Sequence, residues 1–267
     1  MHPILAKFGP FIISGIELGP IYIYTYGLMV ALGFLGAITL SVKLAKIEGI
    51  SQDSILDLCF WILIFSIIGA RIFYVILNFS FYQENPLEVI QVYKGGLVFY
   101  GGFISGIMTC VFYTKKYNLP IWKIGDILAP GIAFGEAIGR IGCFFNGCCY
   151  GKETTLPWGI KFPPGSLSSF LYGNEHHIHP TQIYAFLSNI IIFAFLFFFF
   201  KRKKFQGQIF WLYVILYAVG RFFVEIWRGD IERGFFMGII STSQTIAVIF
   251  LIIGISMYFY LSRRKNI

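Results

Sequence analysis

Glu136 and Arg140 stand four residues apart, acid first, inside the apolar stretch Gly131 to Gly151, GIAFGEAIGRIGCFFNGCCYG. Arg221 and Glu225 repeat that spacing in reverse order inside another apolar run. Residues four apart share a helix face, and the acid-first order favours an intrahelical ion pair. A charge at bilayer depth costs about 2.5–3.5 kcal/mol even on lenient insertion scales. Such residues either neutralise each other to survive burial or hold a polar ligand, and spacing alone leaves both readings open. Cys143, Cys148 and Cys149 close the first stretch, but their spacing matches no zinc pattern and no nearby His completes a tetrahedral set. His176, His177 and His179 also invite a metal reading, against which a His two residues before a span more often caps or orients. No metal is expected. Cys59 and Cys110, in apolar spans, read as small core residues.

The elements that carry these residues are membrane helices. The 267-residue chain is 57% hydrophobic and 13% charged, with a mean hydropathy of +0.73, whereas soluble domains carry about 25% charged residues. Apolar runs near ~20 residues, the length that crosses a bilayer core, recur along it. The expected fold is an all-α polytopic bundle, one integral-membrane domain over 1–267. Seven spans are expected, at Pro20–Ser41, Ser54–Asn78, Leu97–Phe112, Ile121–Phe145, Thr181–Phe200, Ile209–Trp227 and Met237–Leu261. Residues 1–19 lack the basic start and cleavage site of a signal peptide and contain two prolines. They are expected to form an interfacial element. The hydrophilic segment 152–178, with three prolines and Trp158, is expected to cap the outer surface. Gly131, Gly135 and Gly139 form a small-residue ridge for close helix packing.

A net charge of +8 raises the question of nucleic acid, and its distribution answers it. Alternate connections put twelve Lys and Arg on one side, including the Lys201–Lys204 run, and six on the other, with Arg71, Arg140 and Arg221 inside spans. By the positive-inside rule the amino terminus lies outside and the carboxyl terminus in the cytoplasm; the basic run is a topology anchor and no nucleic-acid partner is expected. In that orientation Tyr26, Arg71, Tyr100, Gly101, Gly102, Arg140, His179, Gln182, Arg221, Glu225, Ser243 and Gln244 all fall toward the outer face. Such a layer is what an outer-leaflet lipid-headgroup site requires. A transporter, the main rival, would tend to show internal repeats and broken helices at the midplane, and no convincing repeat is visible.

The run GRIGCFFNGCCYGK from Gly139 resembles the signature of the prolipoprotein diacylglyceryl transferase family. Further similar segments follow in order: YGLMVALGF at Tyr26, GARIFYVILN around Arg71, GGLVFYGGFISG from Gly95, HPTQIYA at His179, GRFFVEIWRGD at Gly220 and STSQ at Ser241. The resemblance covers nearly the whole chain. It implies an enzyme of the bacterial inner membrane that moves the diacylglyceryl group of phosphatidylglycerol onto the lipobox cysteine of a prolipoprotein signal peptide. A thioether forms, glycerol phosphate leaves, and neither metal nor soluble cofactor is needed. Both substrates arrive through the membrane lipid.

Under that resemblance Arg140 and Arg221 are the phosphate clamps, since guanidinium binds phosphate through paired donors and keeps its charge. Glu225 orients Arg221. Asn146 and Gln182 are headgroup hydrogen-bonders, and Tyr26, Arg71, Gly101, Gly102, His179 and Gln244 complete the substrate site, Arg71 alternatively serving a structural ion pair. Better-known family members have His where this chain has Tyr100, and Asn and Glu where it has Cys143 and Cys148. Tyr100 stands at the proton-acceptor position, although a phenol, with an ordinary pKa near ~10, is a poor base. The alternative is that the substrate thiol ionises in the field of the arginines. A lipid- or signal-peptide-binding paralogue without catalysis is the closer rival reading.

Overall fold

The computed structural model describes residues 4–9, 11–13, 16–18, 21–92, 95–164, 166–173, 175–229, 235–236 and 240–264. Among these, six helices are long and apolar enough to cross a membrane: α1 (Thr25–Ile47), α2 (Gln52–Leu77), α5 (Ile121–Asn146), α7 (Thr181–Phe199, extended by a 3-10 turn to Arg202), α8 (Gln208–Ile226) and α9 (Thr242–Arg264). The chain is therefore a predominantly helical, multi-pass membrane protein. The third expected span is a helix, α4 (Phe99–Lys116), but its glycines, hydroxyl residues and terminal lysine pair leave it outside that group. The expected starts at Pro20 and Met237 lie outside the described residues, as do Lys94, Arg233 and Lys265 from the charge balance.

The amino-terminal segment adds strands to the helical fold. β1 (Ile4–Phe8) pairs antiparallel with β4 (Ile21–Tyr24), Ile4 opposite Tyr24 and Lys7 opposite Tyr22. β2 (Phe11–Ile13) pairs with β3 (Ile16–Leu18) as a hairpin. Alternating residues such as ILAKF and IYIY suit a pleated ribbon, and the strand ends where Thr25 opens α1. A last short pair joins β5 (Phe235–Phe236) to β6 (Ile240–Ser241), just before α9.

The chain divides into two compact units, residues 1–40 with 125–267, and residues 41–124. In the first, α1 and α5 meet backbone to backbone: a Cβ on Gly33 would lie 2.8 Å from the Gly135 carbonyl oxygen. Gly135 of the glycine ridge makes this contact against another glycine, whereas Gly139 has open space beside it. Near the start of α5, Asp126 is fully buried and accepts from Lys203 Nζ (2.9 Å) and from the backbone N–H groups of Gly207 (2.9 Å) and Phe210 (3.0 Å). A carboxylate at the amino end of α8 satisfies donors the helix cannot use itself. Fourteen residues along α5, about 21 Å at 1.5 Å per residue, comes Arg140.

The segment 152–178 contributes to a small apolar cluster. Phe162 and Ile178 are buried with Tyr150, and Ile160 and Tyr172 pack against them. It contains the short helix α6 (Leu167–Tyr172), capped by Ser166 and ended by Gly173 at φ 75°.

In the second unit α2 packs on α4 across glycines. A Cβ on Gly69 would meet the Gly101 carbonyl at 2.8 Å, and one on Gly102 the Ser66 carbonyl at 3.1 Å. The short helix α3 (Phe79–Glu84) and a 3-10 turn at Pro86–Ile90 link the pair. Tyr113 donates to Asp57 Oδ2 at 2.8 Å.

Candidate active site

Helices α5, α7 and α8 of the first unit border a small cavity lined by Glu136, Arg140, Ala185, Ser188, Asn189, Tyr217, Gly220, Arg221 and Val224. Its free volume is about 10 Å³, room for about one water. Arg140 Nη2 donates to Glu136 Oε1 at 2.8 Å, and Tyr217 donates to the same oxygen at 2.8 Å. Arg221 Nη2 pairs with Glu225 Oε2 at 2.8 Å and donates to Ser243 Oγ at 3.0 Å. Glu225 is 1% exposed in its side chain, so its charge is committed to the helix interior. Both i,i+4 pairs are thus formed, and the two cations still border one space. They lie close enough to repel each other, and Arg228, itself buried, adds to the positive field at Arg221.

The α7 side of the cavity was not found from the sequence. Gln182, Ala185 and Asn189 fall at i, i+3 and i+7, one helix face. Asn189 is 3% exposed and its Oδ1 has no hydrogen-bond partner among the described residues. Ser188 sits beside it against Gly220. Two amides in one stripe of an apolar helix were the available signal.

Where α5 ends, the backbone explains the local layout. Gly147 adopts φ 72° and donates to Phe144 O at 3.2 Å, while Cys148 N donates to Cys143 O at 3.2 Å. This pair of bonds is the Schellman motif, with glycine at the left-handed position where a Cβ is disfavoured. The exposed Asn146 is the last helical residue. Gln182 Nε2 then donates to Cys148 O and Thr181 Oγ1 to Cys149 O, both at 2.8 Å, pinning the loop to the start of α7. Gln182 is 1% exposed and its Oε1 has no partner among the described residues. Tyr26, at the opening of α1 and 44% exposed, packs over Gly142, where an added Cβ would lie 3.2 Å from its ring.

His179 is buried and engages Tyr184 OH through Nδ1 (3.1 Å), and Trp158 Nε1 donates to the same hydroxyl (2.8 Å). Burial, with Lys152 adding to it, lowers the His179 pKa, which favours the neutral ring. His176 pairs with Glu153. Among the described residues these histidines do not converge on a metal position; the one group of three that does is Cys143, Cys148 and Cys149.

Other expected site residues have structural partners. Ser241 N donates to Gln244 Oε1 (3.2 Å) and Gln244 N to Ser241 Oγ (3.1 Å), a reciprocal capping box at the start of α9. The α9 residue that reaches an arginine is Ser243. In the second unit Arg71 is 6% exposed and donates to the carbonyls of Val89 (2.8 Å), Glu88 (2.6 Å), Gly95 (2.7 Å) and Gly96 (3.1 Å). It also lies over the rings of Tyr74 and Tyr82. These partners are carbonyls and rings, where a carboxylate was the structural alternative. Gly101 and Gly102 make the α2–α4 contact, and Tyr100 is 52% exposed in the first turn of α4, edge-on to Phe99.

The family model described as prolipoprotein diacylglyceryl transferase matches residues 14–260. The chain is 41% identical over 231 residues to the phosphatidylglycerol–prolipoprotein diacylglyceryl transferase of Finegoldia magna, covering 86% of this chain and 88% of that one. It is 39% identical over 242 residues to the protein of the same name from Clostridium tetani, covering 91% and 94%. Against that of Thermosynechococcus vestitus it is 34% identical over 241 residues, covering 90% and 88%.

Proposed function

Because the chain belongs to the prolipoprotein diacylglyceryl transferase family, we propose that it transfers the diacylglyceryl group of phosphatidylglycerol to the lipobox cysteine of prolipoproteins. The substrate thiolate attacks the glycerol carbon that carries the phosphate ester. The new C–S bond forms as the C–O bond breaks, and glycerol phosphate departs with the extra negative charge. Arg140 and Arg221 bind that phosphate once the side chains bordering their cavity, which has room for about one water as it stands, move apart to admit it. Their bordering of one cavity from two helices, each balanced by a carboxylate on its own helix, is the observation that carries this reading. An anion between two mutually repelling guanidinium groups relieves their repulsion, and more so as charge builds on the leaving group in a water-poor site.

Glu225 and Glu136 orient the arginines, and Asn146 and Gln182 bind the headgroup. Tyr26 and His179 support the substrate site, while Arg71, Gly101, Gly102 and Gln244 act through the packing and capping described above, each within its own unit. Tyr100 stands at the family's proton-acceptor position, and ionisation of the substrate thiol in the field of the arginines is the alternative to a protein base. α4 serves as the seventh span of a single domain in the bacterial inner membrane, with the amino terminus outside and the carboxyl terminus in the cytoplasm; residues 1–19 lie at the interface and 152–178 cap the outer face. The twelve-to-six charge asymmetry supports this orientation.

Incubating the purified protein with phosphatidylglycerol and a prolipoprotein peptide tests the proposal. The peptide gains the mass of a diacylglyceryl group, and an Arg140→Ala variant recovered at normal yield does not produce it. Absence of the mass shift with the unaltered protein, in vesicles where a known relative is active, refutes it.

A further inference from the structure

The thiol cluster is the feature the transfer reaction leaves unused. The Sγ atoms of Cys143, Cys148 and Cys149 all lie within 4.8 Å of one another. The cause is the helix end: the Schellman turn through Gly147 folds Cys148 back over Cys143, and Cys149, at φ 60°, turns the next side chain to the same point. We propose that these three residues form a binding site for a thiophilic d10 cation of the Zn2+ class, held by three thiolates with a fourth position open.

Zinc–thiolate bonds of about 2.3 Å in a tetrahedron set sulfur–sulfur separations near ~3.8 Å. Side-chain rotation alone closes a gap of that size. The donor set is all sulfur, which selects soft ions and rejects Mg2+ and Ca2+. Three thiolates around a divalent cation leave one negative charge, and Arg140 and Arg228 both lie within electrostatic reach of Cys149 to balance it. The loop is fixed beforehand, because the carbonyls of Cys148 and Cys149 are held by Gln182 and Thr181. The linear spacing hid this site, since the convergence comes from the left-handed backbone of Gly147 and Cys149.

Co2+ is the probe. Added to the fully reduced, full-length protein in detergent, it is expected to give intense thiolate-to-cobalt absorption at one equivalent, bleached by Zn2+. In the folded protein Zn2+ should slow alkylation of Cys143, Cys148 and Cys149 relative to the same protein without the ion, and leave the labelling of Cys59 and Cys110 unchanged. A Cys59→Ser, Cys110→Ser variant keeps the absorption, and Cys149→Ser weakens Zn2+ binding at least ~10-fold, the low end for a disturbed metal shell. No thiolate–cobalt absorption from the reduced unaltered protein overturns the proposal, as does recovery of a Cys143–Cys148 disulfide that persists under reductant. Because the decisive spectrum is read on the unaltered chain, a misfolded variant does not obscure it.

Discussion

Arg71 and Arg140 are both arginines within apolar helices, yet the two are held in different ways. Arg71 spends its donors on four backbone carbonyls between Glu88 and Gly96 and stacks on two tyrosine rings. To turn toward a ligand it would have to orphan those carbonyls, each at a cost of about 1–3 kcal/mol. Arg140 is held by one carboxylate and borders a cavity, and Arg221 shares that border. The same side chain thus builds a loop in one unit and presents charge in the other. The number and kind of its acceptors, rather than its depth in the sequence, separates the two uses.

Substitution with a shorter or uncharged side chain sharpens the contrast. Arg140→Lys keeps a charge but loses the paired donors, and turnover is expected to fall about 10²–10³-fold, the range for removing a preorganised donor, with thermal stability nearly unchanged. Peptide mass-shift rates and a melting curve on the same preparation check both halves. Arg71→Met should invert the pattern. It removes a buried cation from its carbonyl cage, costing roughly 3 kcal/mol or more in stability, seen as a lowered melting temperature and a protease-sensitive segment 86–98. If Arg71→Met melts normally and loses only activity, the contrast fails.

Smaller changes test the supports. Tyr217→Phe takes a hydrogen bond from Glu136 and leaves that of Arg140, and the loss of about 1 kcal/mol should appear as a severalfold slower rate. Gln244→Ala removes half of the α9 capping box. It should cost about 1 kcal/mol of stability and leave the rate per folded molecule unchanged; a large fall in that rate would return Gln244 to the substrate site.

Helices were legible where apolar runs reached bilayer length, as in α2, α5 and α7, because the solvent imposes that length. The amino-terminal ribbon was not, since ILAKF and IYIY are too short for a periodic pattern to separate strand from interfacial helix. The ion pairs Glu136–Arg140 and Arg221–Glu225 were readable from spacing, but their meeting at one cavity depends on helix rotation, which spacing does not give. The cage around Arg71 left no trace because carbonyls are common to every residue. Gln244 carried a readable signal, Ser-x-x-Gln before an apolar run, that belongs to helix capping. The thiols at 143, 148 and 149 converge through the left-handed conformations of Gly147 and Cys149.

A double-substitution cycle on Arg140 and Arg221 tests the central claim most directly. If both guanidinium groups act on one phosphate, Arg140→Lys and Arg221→Lys each lower kcat/KM strongly, and the pair together falls well short of the product of the single losses. Strictly multiplicative losses, with all three variants folded, would show that the two arginines act on separate groups and would contradict the account.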